Sequence, residues 1–218
     1  MNSSEISRKT LRSLKVRNLE KYVVLDVGAN VGDFSALCKK IFSNLKLYVI
    51  EPQPEVQSIL QNRLGGSHIY IQTAISNEIG SQYLRRSGIG DRKATLSHIP
   101  DQNSIPIEVT TIDKLVNESK IDFINLLKID AEGADFLVLK GAKKTLESAR
   151  IGAILFEINY KVFEKGGSPQ EIENYLRLFG YNFFYRATKW LGFIELTTLP
   201  NFRVETQNIL ATKNSLTN

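Results

Sequence analysis

Apolar runs alternate with amphipathic stretches along most of this chain, and each pattern predicts one kind of element. The β-branched run at residues 22–27 is typical of a strand buried on both faces of a parallel sheet. Similar runs predict strands at 46–51, 67–76, 124–129 and 151–158, with helices between them at 33–43, 54–64, 113–119 and 134–149. This order predicts the α/β class, with an open, mostly parallel sheet and helices on both faces.

Two of the helix predictions depend on particular side chains. The helix over 134–149 has an apolar face, because four of its residues recur at helical spacing. These residues are Val138, Ala142, Leu146 and Ala149. A later helix is predicted to begin at Ser168-Pro169 and to end at Gly180. A serine side chain accepts a backbone N–H at a helix start, and proline fits the first turn.

Residues 80–110 interrupt the alternation of strands and helices. Polar and apolar side chains alternate there one by one, and Gly88, Gly90 and Pro100 punctuate them. This pattern predicts a β-hairpin or a loop insertion. After the last helix, apolar segments predict an antiparallel edge of the sheet at 182–188, 191–196 and 208–213.

The formal net charge of the 218-residue chain is +5, and most of it lies at the N-terminus. Residues 1–21 hold six basic and two acidic side chains, so the remainder is close to neutral and no basic groove for nucleic acid is predicted. We expect a basic helical extension over 1–21, with membrane-surface binding or a lid as alternatives, followed by one domain over 22–218.

Several absences bear on the predicted location. No apolar run approaches the roughly 20 residues that span a bilayer, and the N-terminus has no compact apolar signal segment. Cys38 is the only cysteine, which excludes an intrachain disulfide. Its place in the first predicted helix favours a buried apolar role over a nucleophilic one. These features predict a soluble protein of the cytoplasm.

The turn after the first strand has the composition of a nucleoside-binding loop. Gly28 and Gly32 bracket it, and glycine permits backbone angles closed to other residues and leaves no Cβ between chain and ligand. Asn30 or Asp33 is expected to begin the next helix. Glu51 ends the second predicted strand about 20 residues later, where a carboxylate accepts hydrogen bonds from two ribose hydroxyls.

Nicotinamide dinucleotides and S-adenosylmethionine both carry a ribose diol, so the glycine turn has to decide between them. Counted from Gly28, Asn30 and Asp33 occupy the second and third glycine positions of the dinucleotide pattern. A pyrophosphate is also repelled by nearby anions, whereas an ammonium and a sulfonium are attracted by Asp26. The sequence therefore favours S-adenosylmethionine.

Four segments together resemble the FkbM family of S-adenosylmethionine-dependent methyltransferases. VVLDVGANVGDFS is similar to the first motif of that family, YVIEPQP to its second, and VTTIDKLV with LLKIDAEGADFLVLKGAKKTL to its most distinctive part. The resemblance covers residues 22–160. It implies the class I methyltransferase, Rossmann-like fold and methylation of a hydroxyl on a sugar or other small metabolite. One departure is Asp135, where relatives commonly carry glutamate.

In such a sheet, ligands bind beyond the carboxyl ends of the strands, so strand-end residues are the candidate site. We predict cofactor contacts from Asp26, Gly28, Ala29, Asn30, Gly32, Ser35, Glu51, Pro52, Ala74 and Asp130. Asp130 is expected beside the methionine moiety or the acceptor, and Glu132 is the candidate base or acceptor-orienting group. The alternative role for Glu132 and Asp135 is to cap the next helix.

Other candidates stay open. Glu157 ends the fifth predicted strand and is a candidate substrate contact, and His98 is either a base or an ordinary loop histidine. No metal is predicted, because two carboxylates lack a third ligand. Four aromatic residues either stack on a sugar or belong to the core. They are Tyr160, Phe163, Tyr185 and Trp190.

The expected function is O-methylation of a small hydroxyl acceptor, with 80–110 and 160–167 shaping its pocket. The [ND]-P-P-[YF] motif of nucleobase methyltransferases is absent, because IDAEG occupies its place after the fourth strand. Two other functions remain as alternatives: a catalytically idle nucleoside-binding or scaffold protein of the same fold, and an NAD-dependent oxidoreductase.

Overall fold

The computed structural model of the chain describes residues 11, 21–159, 161, 167–188, 192–200 and 206–216. Within these ranges the strands are β1 (Tyr22–Val27), β2 (Leu45–Ile50), β3 (Ile69–Ile71), β4 (Ala74–Ile75), β5 (Gly80–Arg85), β6 (Thr95–Ser97), β7 (Ser104–Thr110), β8 (Ile124–Ile129), β9 (Ile151–Ile158), β10 (Phe183–Thr188), β11 (Gly192–Leu196) and β12 (Gln207–Thr212). The helices are α1 (Asp33–Ile41), α2 (Val56–Leu64), α3 (Ile112–Glu118), α4 (Asp135–Lys140), α5 (Lys143–Glu147) and α6 (Pro169–Leu178).

Eight of the described strands form the main sheet, in the order β11-β10-β12-β9-β8-β1-β2-β3. Parallel pairs join β3 to β2, β2 to β1, β1 to β8 and β8 to β9. β12 is antiparallel to both β9 and β10, and β10 is antiparallel to β11. The predicted mostly parallel sheet with an antiparallel edge is confirmed. Its chain order reverses between β1 and β8, which is the position where open α/β sheets bind ligands.

Side chains on alternate residues of each strand pack on opposite faces of the main sheet. Leu25 and Val27 of β1 belong to a core that α3, α4, α5 and α6 cover. Val24 belongs to a second core under α1 and α2, which also contains the fully buried Cys38. Helices therefore cover both faces, as the sequence predicts, and Cys38 has the apolar surroundings expected of it.

The strand predicted over 67–76 is wrong as a single element. The chain leaves the main sheet after β3, and β4 then pairs with β7 in a second sheet of order β4-β7-β5-β6. Thr73 lies between the two strands, and its hydroxyl donates to Glu108 O (3.0 Å) of the second sheet. The predicted hairpin insertion is confirmed, because β5 is antiparallel to β6 and β7.

The single helix predicted over 134–149 is divided into α4 and α5. At Gly141 a side chain would collide with the carbonyl oxygen of Ser76, so the backbone packs there against the start of the second sheet. Val138, Ala142 and Leu146 are buried as predicted. Ala149 is exposed, because it follows the end of α5 and has a positive φ of 53°. By contrast, Ser168 caps α6 as predicted and accepts a hydrogen bond from Glu171 N.

Several predictions concern residues outside the described ranges. The helical extension over 1–21 lies outside them except for Leu11, which is helical and fully buried in the core under α1, and Lys21. Tyr160, Phe163 and Trp190 also lie outside them, whereas Tyr185 is a core residue. In the part of the chain that is described, every helix is too short or too polar to cross a bilayer.

Candidate active site

A cavity of about 420 Å³ opens where β1, β2, β8 and β9 end. This volume lies within the range of small-molecule sites, roughly 300–1,000 Å³. Its wall has two chemically different parts, which we name the β2 side and the acidic side. The β2 side comprises Gly28, Ala29, Asn30, Glu51, Pro52, Gln53 and Ala74. The acidic side comprises Asp130, Glu132, Glu157, Asn159 and Lys161.

The glycine turn packs directly against the end of β8. Gly28 has a φ of 70°, and a Cβ at this position would collide with the carbonyl oxygen of Asp130. Gly28 N and Ala29 N donate to Ile50 O at 3.0 and 3.1 Å, which ties the turn to β2. Only glycine satisfies both the backbone angle and the close approach at residue 28.

Glu51 is buried at the end of β2 and is held by three donors from the protein. Its Oε2 accepts from Asn30 N (2.8 Å), and its Oε1 accepts from Gln53 N (3.0 Å) and Gln53 Nε2 (3.2 Å). A carboxylate has about four acceptor positions, so the protein occupies about three of them and about one remains for a ligand. Burial raises the pKa of Glu51, against the lowering effect of these hydrogen bonds.

The insertion is fastened over the β2 side by two amide side chains. Asn30 Nδ2 donates to Gly90 O (3.2 Å) and to Asp91 O (3.3 Å), and Gln53 Nε2 donates to Asp91 O (3.2 Å). Asp91 in turn accepts from Ser87 N (2.7 Å), which rigidifies the loop. The predicted contribution of the insertion to the pocket is therefore visible in the lining residues of segment 91–96.

A buried lysine connects β1 and β8 beneath the cavity. Lys128 Nζ lies 3.2 Å from Asp26 Oδ1 and 3.3 Å from Asp130 Oδ2, and it donates to Gly28 O (3.2 Å). Ser35 Oγ donates to the second oxygen of Asp26 (2.6 Å). Burial acts to lower the pKa of Lys128, but Asp130 and Asp26 outweigh it and hold this pKa above its usual value.

Glu132 projects into the cavity from a strained turn. Its φ is 50°, an angle that is uncommon for residues other than glycine. Its Oε2 lies 2.6 Å from Lys161 Nζ. At the next residue, a side chain on Gly133 would collide with Lys161, so the turn and the lysine are packed closely. The strain and the ion pair together fix the position of the Glu132 carboxylate.

Two further carboxyl groups lie at the end of β9. Glu157 lines the cavity, and Asn159 Nδ2 donates to its Oε1 (2.6 Å). Asp135 lies fully buried at the start of α4 and accepts from Glu157 N (3.0 Å). Burial, together with the charge of Asp130, raises the pKa of Glu157 to about 8 and that of Asp135 to about 7.

The structure separates the sequence-predicted site residues into two groups. Seven of the predicted cofactor residues line the cavity: Gly28, Ala29, Asn30, Glu51, Pro52, Ala74 and Asp130. Both candidate catalytic residues also line it, namely Glu132 and the same Asp130. Asp26, Gly32 and Ser35 do not line it. Asp26 and Ser35 are fully buried beneath it, and a Cβ on Gly32 would meet Leu60 of α2.

Among the residues at the cavity or beneath it that the sequence analysis does not predict, four bear on its chemistry: Gln53, Lys128, Asn159 and Lys161. Lys128 alone gives a signal in the sequence, because it interrupts the apolar run of β8. His98 is exposed beside Glu78 and is not among the lining residues. Among the residues that the structure describes, no group of three or more metal-ligating side chains is found.

Residues 26–183 match the methyltransferase FkbM domain. The chain belongs to the FkbM methyltransferase family. That stretch begins at Asp26 in β1 and extends into β10, so it includes the strands whose ends form the cavity.

Two curated relatives come from distant organisms. The hexuronic acid methyltransferase AglP of Haloferax volcanii is 27% identical over 150 residues, which cover 67% of this chain and 59% of that protein. The 2-O-methyltransferase NoeI of Sinorhizobium fredii is 26% identical over 168 residues, covering 66% of this chain and 69% of that protein. The chain thus spans less than two thirds of the length of AglP.

A solved structure shares the fold. An rRNA methylase from Streptococcus thermophilus aligns over 99% of each chain, with a TM-score of 0.52 and 12% sequence identity. At this identity the likeness concerns the fold alone. The FkbM-family chain therefore has the class I methyltransferase fold that its sequence predicts.

Proposed function

We propose that this FkbM-family protein transfers a methyl group from S-adenosylmethionine to a hydroxyl of a sugar or other small metabolite. One observation carries the proposal: a single cavity joins the buried, hydrogen-bonded carboxylate of Glu51 to a cluster of carboxylates at the ends of β8 and β9. The names of the two curated relatives, a hexuronic acid methyltransferase and a 2-O-methyltransferase, support it.

The residues of the cavity fit such a cofactor. Glu51 has about one acceptor position left for a ribose hydroxyl, and the buried Oε1 of Gln53 has no hydrogen-bond partner. Apolar side chains suited to a purine form the wall beside them, namely Ile50, Ala74, Ile75, Leu84 and Leu96. Asp130 on the opposite side supplies the negative charge that an ammonium and a sulfonium require.

When bound, S-adenosylmethionine supplies a methyl group already activated on a sulfonium. The protein then has to orient the acceptor, an effect worth roughly 7–11 kcal/mol in favourable cases. Asp130 is held in place by Lys128 and faces the cavity with a partly exposed carboxylate. We assign it to the cationic part of the cofactor. Glu132 and Lys161 form a fixed ion pair that presents both a donor and an acceptor to acceptor hydroxyls.

Asp26, Gly32 and Ser35 do not line the cavity and act through the residues that they contact. Ser35 donates to Asp26, Asp26 pairs with Lys128, and Lys128 in turn holds Asp130. Gly32 lets α1 start against α2. These three residues thus maintain the shape of the cavity, while the lining residues bind.

Two measurements test the proposal. Isothermal titration should show binding of S-adenosylmethionine and S-adenosylhomocysteine, and none of reduced nicotinamide dinucleotide. A transfer assay with labelled methyl donor should then label a hexuronic acid glycoside or a neutral hexose glycoside, but no RNA oligonucleotide. Binding without transfer to any acceptor would indicate an idle binding protein, and labelling of RNA alone would contradict the small acceptor.

A further inference from the structure

The acidic side offers two carboxylates for the proton of the acceptor hydroxyl, and their surroundings differ. Glu132 is engaged with Lys161 at 2.6 Å. Taking up a proton would neutralise Glu132 and cost this ion pair. Its position is therefore suited to holding an acceptor and poorly suited to removing a proton from it.

Glu157 lines the same cavity but has different partners. Among the described residues it forms no ion pair with lysine or arginine, and the neutral side-chain amide of Asn159 donates to it at 2.6 Å. That hydrogen bond fixes one oxygen and with it the plane of the carboxylate. In the parallel register of the two strands, Lys128 of β8 lies opposite Leu155 of β9. Asp130 and Glu157 each come two residues later, so they follow the strands side by side.

The charges around Glu157 favour uptake of a proton. Asp130 and Glu132 approach from the β8 side, and Asp135 lies behind the strand at the start of α4. Lys128 of β8 and Lys161, three residues after the end of β9, are paired with other carboxylates. From the insertion, Asp91, Arg92 and Lys93 also line the cavity, and Arg92 is paired with Asp33. On the β12 side the register partner is Asn208, which is uncharged. Burial and these carboxylates hold the pKa of Glu157 at about 8, near the value that suits a general base at neutral pH.

We infer that Glu157 is the general base that accepts the proton of the acceptor hydroxyl, while Glu132 and Lys161 orient the acceptor. This inference rests on the proposed function. As the O–H bond breaks, its proton passes to the Glu157 carboxylate and the oxygen forms a bond to the methyl carbon. The carbon–sulfur bond breaks and leaves its electron pair on sulfur, giving a neutral thioether. Glu157 then releases the proton to water.

The test compares isosteric variants that change one carboxylate at a time. Glu157→Gln should lower kcat roughly 100- to 10,000-fold, the usual contribution of a general base, and keep the calorimetric affinity for S-adenosylhomocysteine. Glu132→Gln should act mainly by raising KM for the acceptor. Glu118→Gln, an exposed change at the end of α3, is the matched control and should keep full activity.

A pH profile supplies the second readout. With a neutral sugar acceptor and saturating methyl donor, kcat/KM of the wild type should rise with pH along a limb with a midpoint below about 8, because a bound cation lowers the pKa of Glu157. The limb should be absent in Glu157→Gln. This profile also decides the matter if that variant does not fold, since a wild-type profile without the limb would overturn the inference.

The outcomes separate the two proposals. A wild type that neither binds the methyl donor nor transfers a methyl group contradicts the proposed function. A wild type that does both, beside a Glu157→Gln variant with similar kcat and an unchanged pH profile, overturns the role of Glu157 and leaves the proposed function intact.

Discussion

The β2 side and the acidic side of the cavity are stabilised in different ways. On the β2 side, Glu51 is surrounded by neutral donors, two of them backbone N–H groups. On the acidic side, Asp130 and Glu132 each face a lysine, and Glu157 faces other carboxylates. Neutral donors hold a side chain in one position whatever the pH, which suits binding of an unchanging part of a ligand. Clustered charges change their protonation when protons or cations bind. We therefore propose that the β2 side recognises the cofactor and that the acidic side carries the chemistry.

The largest expected effect follows from removing the cation beneath the acidic side. Lys128→Met leaves the buried carboxylate of Asp26 and that of Asp130 without their counter-ion. Breaking a buried ion pair from one side costs about 3–5 kcal/mol, and urea denaturation should show a loss of that size. Lys143→Met on the exposed face of α5 is the control and should change the free energy of unfolding by less than about 1 kcal/mol. Equal losses in both variants would contradict a network centred on Lys128.

The second effect is a pH dependence of stability from Glu157. Its pKa in the folded protein is about 8, above the ordinary 4.5, so the folded state binds this proton more tightly than the unfolded chain does. The stabilisation is complete below about pH 4.5 and is lost as the pH rises through 8. Because glutamine does not titrate, Glu157→Gln should gain stability relative to the wild type by about 1 kcal/mol per pH unit between pH 5 and 8.

Urea denaturation of both proteins at pH 5, 6.5 and 8 measures this difference directly. A constant difference across the three pH values would mean that Glu157 titrates as in an unfolded chain. The acidic side would then lack the electrostatic character that distinguishes it from the β2 side.

On the β2 side the sharpest test is Glu51→Gln, which keeps the size of the side chain, removes its charge and turns an amide nitrogen, which cannot accept, toward either Asn30 N or the Gln53 donors. Glu51→Gln removes the anionic acceptor, and a hydrogen bond to a charged group contributes about 1.5–3 kcal/mol. Calorimetry should show roughly 10- to 100-fold weaker binding of S-adenosylhomocysteine. The exposed Glu118→Gln again serves as control. Unchanged affinity would mean that the charge of Glu51 does not contribute to cofactor binding and would contradict a recognition role for the β2 side.

The smallest expected effect concerns the backbone contact between Gly28 on the β2 side and Asp130 on the acidic side. Gly28→Ala adds a Cβ that collides with Asp130 O, whereas Gly180→Ala, also at a positive φ, adds one with nothing within 4 Å. Both changes strain the backbone, and only the first also overpacks it, at a cost of about 1–3 kcal/mol. The difference between their unfolding free energies isolates this contact. Equal losses of unfolding free energy would show that the contact between residue 28 and Asp130 tolerates a methyl group.

Much of the fold follows from local pattern. The bounds of β8 and β9 agree with the prediction from apolar runs, and Ser168 caps α6 as its side-chain chemistry requires. The segment 67–76 and the helix over 134–149 were mispredicted for one shared reason. Both elements are broken where the second sheet packs against the rest of the described chain. A contact between segments that are distant in sequence leaves no periodic pattern of apolar residues in either segment.

The site divides in the same way. A glycine turn and strand-end carboxylates are local features, so several lining residues at the ends of β1, β2 and β8 could be predicted from the sequence alone. The contacts of Lys128 with Asp26 and Asp130, of Lys161 with Glu132, and of Glu157 with neighbouring carboxylates arise only in the folded chain. Burial and charge neighbours set the protonation of each group. Both depend on the packing of strands and turns that lie far apart along the chain.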